Sequence, residues 1–172
     1  MAKESNFLST ADQVTSYVNS LDLLPHLEGG FYRETYRSEC LIQAKDFKTE
    51  RNASTGIYYL LKAGSFSAFH RIKSDEMWHF YDGTDLSIYM LDEDGRLEVT
   101  RLGRNIEAGE QLQSVVPTGR WFASRVESEG GFALVGCTVA PGFDFQDFEL
   151  AKRDNLQAEF PQHSDLIKSL TR

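Results

Sequence analysis

The sequence lacks any apolar stretch long enough to cross a bilayer. Its longest runs, such as Ile57-Tyr58-Tyr59-Leu60-Leu61, fall far short of the ~20 residues a spanning helix needs. The first residues, Met1-Ala2-Lys3-Glu4-Ser5-Asn6, carry no apolar segment of the kind a secretory signal requires. These absences lead us to expect a cytoplasmic protein with no membrane partner. Cysteine is scarce: Cys40 and Cys137 stand alone, with no Cys-x-x-Cys spacing. Neither a disulfide framework nor a zinc knuckle is expected from them, and both read as reduced thiols. Basic clusters are missing as well. With 18 Lys and Arg against 26 Asp and Glu, the formal net charge is −8. No basic stripe is available to neutralise phosphates, so nucleic acid is not an expected partner. We find no internal repeat, low-complexity tract or linker, and 172 residues suit one domain.

What is present is an ordinary globular composition, 41% hydrophobic and 26% charged, on a chain long enough to bury a core without staples. The pattern predicts a short N-terminal helix over about 10–21. Thr10 and Gln13 fit a capping box, and Val14, Tyr17, Val18 and Leu21 form one apolar stripe. Pro25 stops its continuation. From about 29 to 140 the pattern turns to short strands rich in aromatic and β-branched residues, separated by Gly, Asp and Ser clusters. Asp92-Glu93-Asp94-Gly95 reads as a hairpin turn. Roughly nine such strands imply a sandwich or barrel and not βαβ units. The tail, 141–172, begins with alternating Phe143, Phe145, Phe148 and Leu150, a last strand or a packing arm. It ends in a short helix carrying Leu166, Ile167 and Leu170.

The stretch from Gly64 to Gly83 concentrates the chemistry. Side chains alternate faces along a strand. Phe66, Ala68, His70 and Ile72 should therefore share one face, and Glu76, Trp78 and Phe80 one face of the next strand. Both sets are mostly apolar and should point inward. His70 and Glu76 are then ionisable groups carried into the interior, where each needs a partner or a task. His79, three residues after Glu76, should face the other way. Gly29-Gly30 reads as a bend, and Asp144 and Asp147 as solvated carboxylates.

Gly64, His70, Glu76 and Gly83 stand at the spacing of the first motif of the cupin superfamily, and Pro117-Thr118-Gly119 matches part of the second. Segments 28–36, 75–83 and 139–145 further resemble a group of small cupins with no assigned function. The resemblance implies a mainly β, double-stranded β-helix (jelly-roll) barrel spanning the whole chain as one domain. It also implies a small-molecule pocket inside the barrel and a homodimer. Typical cupins hold a metal with three His and one Glu, but here two of those positions hold Ile72 and Phe122. No metal or other cofactor is therefore expected, with a divalent transition metal on His70, Glu76 and water as the alternative. Some metal-free cupins are sugar-nucleotide epimerases. By that resemblance His70 is a candidate base, with Glu76 orienting it or holding substrate, and Tyr32, Tyr36 or Tyr59 a candidate acid. Phe66, Trp78, Phe122 and Tyr59 are candidate pocket walls, and Arg33 a candidate partner for an anionic ligand. The competing readings are a non-catalytic binding module and a metal-dependent isomerase, lyase or dioxygenase.

Overall fold

The structure, a computed structural model, describes residues 9–172. Thirteen strands run in chain order: β1 Leu24–Pro25, β2 Phe31–Arg37, β3 Leu41–Ile42, β4 Arg51–Asn52, β5 Thr55–Lys62, β6 Phe66–Arg71, β7 Asp75–Gly83, β8 Leu86–Leu91, β9 Leu97–Leu102, β10 Gln113–Val116, β11 Trp121–Val126, β12 Phe132–Ala140 and β13 Glu149–Leu150. They form a six-stranded sheet in the order β1-β2-β5-β12-β7-β10 and a five-stranded sheet in the order β13-β6-β11-β8-β9, with β3 and β4 as a separate pair. This is the expected mainly β two-sheet jelly roll. The inward faces meet in a core of Tyr59, Leu61, Trp78, Leu86, Ile88, Met90, Phe122 and Val135.

Helices cover the outer faces. α1, Thr10–Ser20, lays Val14, Tyr17 and Val18 on Leu60, Phe132 and Leu134 of the six-stranded sheet. Its cap falls one residue earlier than the capping-box spacing predicts: Ser9 Oγ accepts the N–H of Asp12. The tail carries two helices where one is predicted. α2, Arg153–Glu159, and α3, Ser164–Ser169, bring Leu156, Ile167 and Leu170 onto Phe69, Leu91 and Trp121 of the five-stranded sheet. The first two residues of β2 are paired by β1 on one side and β5 on the other, so β2 is an open edge only beyond them.

One register shift decides the site. His70 pairs Phe122 and Ser67 pairs Ser124, so Ala68 and Phe69 together face Ala123. Such a bulge re-aims the side chains on either side of it. His70 points inward, whereas Phe66 joins the outer cluster, where the Arg172 guanidinium lies 5.1 Å from its ring centre. Strict alternation had put the two on one face.

Candidate functional site

One end of the barrel interior is open, as a cavity of about 250 Å³. Its interior wall carries His26, Glu28, Tyr32, His70, Ile72, Glu76 and Cys137. Toward the mouth stand Glu34, Arg37, Thr55, Ile57 and Val139, with Phe143, Asp144, Phe145 and Phe148 from the tail. His70 comes from the five-stranded sheet, and Tyr32, Glu76 and Cys137 from the six-stranded sheet opposite.

Glu28 lies in the tight loop between β1 and β2, where His26 N–H donates to Gly30 O at 3.0 Å and Gly29 N–H to His26 O at 3.1 Å. Gly29 sits at φ +121°, and a Cβ there would meet the Phe66 carbonyl oxygen at 2.1 Å. Only glycine lets the loop press this close to β6. The bulge completes the junction: Ala68 N–H donates to Glu28 O at 3.0 Å, and Ala68 O accepts from His70 Nδ1 at 2.7 Å.

Glu28 and His70 form a buried pair, 7% and 3% exposed. Glu28 Oε2 lies 2.8 Å from His70 Nδ1. The ring N–H is directed at the Ala68 carbonyl, and Oε2 makes no aligned hydrogen bond, so attraction of charge dominates this contact. Burial works against both charges. The mutual attraction overrides it, holding the His70 pKa above its ordinary 6.5 and Glu28 below the ordinary carboxylate value. Glu76, 8% exposed, has no such close cation. Burial pushes it up to about 7; the His70 charge opposes the rise and the Glu28 charge adds to it. The neighbouring Cys137 thiol is pushed well above its usual value, by burial first and by Glu76 second, so it stays protonated. His26 is held below 6.5, chiefly by burial, and its ring stands edge-on to Tyr32 with centroids 4.5 Å apart.

The mouth is closed on one side by the tail. Phe143, Phe145 and Phe148 pack on one another, and Phe148 reaches the His70 ring at 5.3 Å. The tail is anchored by Arg51, whose Nε donates to Asp147 Oδ2 at 2.6 Å, with both side chains buried. Asp144 accepts the Gln146 N–H while lining the cavity. Neither aspartate is thus the free surface carboxylate its sequence context suggests. Arg37 donates twice to Glu34, at 2.9 and 2.6 Å, so little of its charge is free for a ligand.

Of the candidate catalytic and ligand-binding residues named from the sequence, His70, Glu76 and Tyr32 line this cavity. The others do not, for local reasons. Trp78 lies one inward step beyond Glu76 on β7, and Tyr59 one step beyond Ile57 on β5, both in the packed core. The Tyr59 hydroxyl is spent on Gly29 O at 2.8 Å. Phe122 supports the His70 ring from behind, centroids 4.0 Å apart. Phe66 is turned out by the bulge. Arg33, next to inward Tyr32, faces outward and pairs with Asp22 at 3.2 Å. Tyr36 is exposed. His79 sits on the other face of β7 from Glu76, between Gln113 and Thr138. Sequence reasoning gave Glu28 and Cys137 no part in the site and had no means of placing His26 near the barrel.

A metal of the three-His, one-Glu type does not fit these residues. Ile72 and Phe122 bring no donor atoms, and His70 Nδ1 is engaged by Ala68 and Glu28. Among the described residues, no three His, Cys, Asp or Glu side chains are grouped to hold an ion. What the arrangement can do is move protons. His70 and Glu76 face the cavity from opposite sheets, and one is raised from 6.5 while the other sits at about 7. Each charge shifts the titration of the other, so the two titrate as a coupled pair, and Glu76 is pushed into the range where general acids and bases work best.

The family described as Cupin superfamily (DUF985) matches residues 15–151. Protein SO0799 from Shewanella oneidensis superposes with a TM-score of 0.84 at 44% identity, covering 96% of this chain and 99% of that one. A hypothetical protein from Leishmania major gives 0.87 at 34%, covering 91% and 97%. The uncharacterized protein YML079W of Saccharomyces cerevisiae is 32% identical over 152 residues, 80% of this chain and 75% of its own. Bacillus subtilis oxalate decarboxylase, at 17% identity and a TM-score of 0.54 over 41% of its length, shares the fold alone. The three segments that carry the sequence resemblance, 28–36, 75–83 and 139–145, all contribute lining residues to the one cavity. By its matched length and its relatives, the chain belongs to the DUF985 family of the cupin superfamily.

Proposed function

We propose that the barrel cavity binds a small polar carbonyl compound and moves a proton on the carbon beside the carbonyl, an epimerase- or isomerase-like reaction that needs no metal. The observation that carries this is the placement of His70 and Glu76 on facing sheets around one cavity, with Glu76 pushed up to about 7 by burial and the His70 pKa raised by its carboxylate neighbours against its burial. One group takes the proton from carbon and the other returns a proton, so the pair ends with as many protons as it began. Nδ1 of His70 is held by Ala68 and Glu28, which leaves Nε2 to meet the substrate. Tyr32, Ile57, Ile72 and Phe148 supply the apolar wall. The cavity is smaller than the ~300–1,000 Å³ of drug-sized sites, so it takes a small molecule or one end of a larger one.

The test is proton NMR in heavy water with uncharged hydroxyketones and hydroxyaldehydes. Nucleotide sugars are added because the family resemblance suggests them, although the pairing of Arg37 with Glu34 argues for uncharged compounds first. Wild-type protein should place deuterium on the carbon beside the carbonyl, with or without chelator. His70→Ala and Glu76→Gln should each slow this by about 10²–10⁴-fold, the usual contribution of a general acid or base. A compound that raises the melting temperature yet gains no deuterium would reduce the reading to a binding module. Loss of exchange on chelation would favour a metal enzyme.

A further inference from the structure

The two histidines of the cavity are held in opposite ways, and one residue sets both. The main-chain N–H of Glu28 is directed at Nδ1 of His26, 3.3 Å away. Two N–H groups cannot point at each other, so Nδ1 of His26 carries its lone pair and the ring proton sits on Nε2. Glu28 Oε1 also lies 3.3 Å from this nitrogen, but a proton placed there to meet it would face the main-chain N–H. At His70 the order is reversed. Nδ1 is the donor, to Ala68 O at 2.7 Å, and the Glu28 carboxylate stands beside it. In its neutral form His70 therefore presents a bare Nε2, and His26 presents Nε2–H. Both rings line the same cavity.

Resting on the acid–base reading above, we infer that His26 is its third catalytic group, a neutral imidazole whose Nε2–H donates to the carbonyl oxygen of an uncharged ketone or aldehyde while His70 and Glu76 move the proton. In the first half-reaction the base takes the proton from carbon. The C–H electron pair forms the carbon–carbon double bond, and the carbonyl π pair moves to oxygen, where the His26 N–H holds the developing charge. In the second, the acid returns a proton to carbon and the carbonyl re-forms. The edge-on contact with Tyr32 and the bond from Glu28 fix the ring, so the donor is in place before charge develops, the condition under which such a contact helps most. Burial that keeps His26 uncharged also keeps Nδ1 free to accept that bond. The site then holds one fixed donor and two proton carriers, which complements an uncharged carbonyl compound.

The sequence has four histidines, so their ring nitrogens can be resolved by long-range proton–nitrogen correlation on ¹⁵N-labelled protein, with His26→Phe assigning one set. His26 should show the neutral Nε2–H form at neutral pH, and His70 either Nδ1–H or the doubly protonated ring. An Nδ1–H or charged His26 at neutral pH would overturn the inference. His26→Phe keeps a ring against Tyr32 and removes the donor. It should slow deuterium exchange by about 10²–10³-fold while the His70 signals stay where they were. Wild-type rates in His26→Phe would sink the role of His26 and leave His70 and Glu76 standing. A wild type that exchanges none of the compounds strikes the acid–base reading itself, and with it the part assigned to His26.

Discussion

The two ends of the barrel are built from the same strands and differ completely. On β7, Glu76 lines the cavity and Trp78 and Phe80, the next inward residues, fill the core. On β5, Thr55 and Ile57 face the cavity, and Tyr59 and Leu61 the core. On β12, Val139 and Cys137 face the cavity, and Val135 and Ala133 the core. Alternation is unbroken over these residues, so the change from pocket to core comes from side-chain size and the loops at the rim. At the closed end Trp78, Tyr59 and Phe122 meet edge to face. At the open end the interior wall carries Glu28, His70 and Glu76 beside His26, Tyr32, Ile72 and Cys137. A barrel can thus concentrate its packing at one end and hold buried ionisable groups around a cavity at the other.

If that division is real, the largest loss of stability comes from the closed end. Trp78→Ala should cost about 3–5 kcal/mol, the usual range for deleting a fully buried aromatic. The indole N–H has no hydrogen-bond partner among the described residues, so the loss is one of packing. Denaturant unfolding measures it. A cost near 1 kcal/mol would show that the closed end is loosely packed and the contrast false.

At the open end the next effect has the opposite sign. Glu76 titrates at about 7 when folded against an ordinary 4.5. The folded protein therefore binds more protons than the unfolded chain between these values, and stability falls as pH rises through them. That gap corresponds to roughly 3 kcal/mol lost by about pH 8. Glu76→Gln mimics the neutral acid, so it should be more stable than wild type at pH 8 by up to about that amount, with the difference closing by about pH 4–5. His70 slopes the same way: its raised pKa gives a contribution that is full below 6.5 and lost as pH rises through the folded value. The slope remaining in Glu76→Gln is then that of His70 less that of His26, whose lowered pKa makes stability rise with pH through 6.5. Melting curves of wild type and variant from pH 4 to 8 read the Glu76 contribution as their difference. A variant less stable than wild type at pH 8 would mean that Glu76 is not held against its burial.

The closed end was also the more legible one. Strand alternation and turn residues are local, and they place the strand segments and the apolar core. The open end depends on contacts between distant segments. Glu28 precedes a pair of glycines outside any strand, and only the approach of its loop to the bulge at Ala68–Phe69 brings it to His70. The same bulge is why Phe66 was assigned to the wrong face, since a strict period of two cannot register an extra residue. Alternation turns Trp78 inward correctly but gives the face of a residue and not its depth, so Trp78 lies in the core beyond the cavity, as Tyr59 and Phe122 do. A signal for Glu28 did exist. It begins one of the three segments that carry the family resemblance, and those segments converge on the cavity.

The smallest expected difference is the sharpest test of the contrast, because it changes one methyl group at each end. Ile88 is fully buried in the core, and Ile72 is nearly as buried yet lines the cavity. Burial alone predicts equal costs for Ile→Val at the two sites. Packing does not. A methyl group against close-packed neighbours loses its contacts and leaves a void, for about 0.5–1.5 kcal/mol. A methyl group facing open volume has fewer partners to lose. Ile88→Val should fall in that range and Ile72→Val below about 0.5 kcal/mol by denaturant unfolding. Equal costs would mean that the open end closes around Ile72 in solution, and that the cavity is smaller than its roughly 250 Å³.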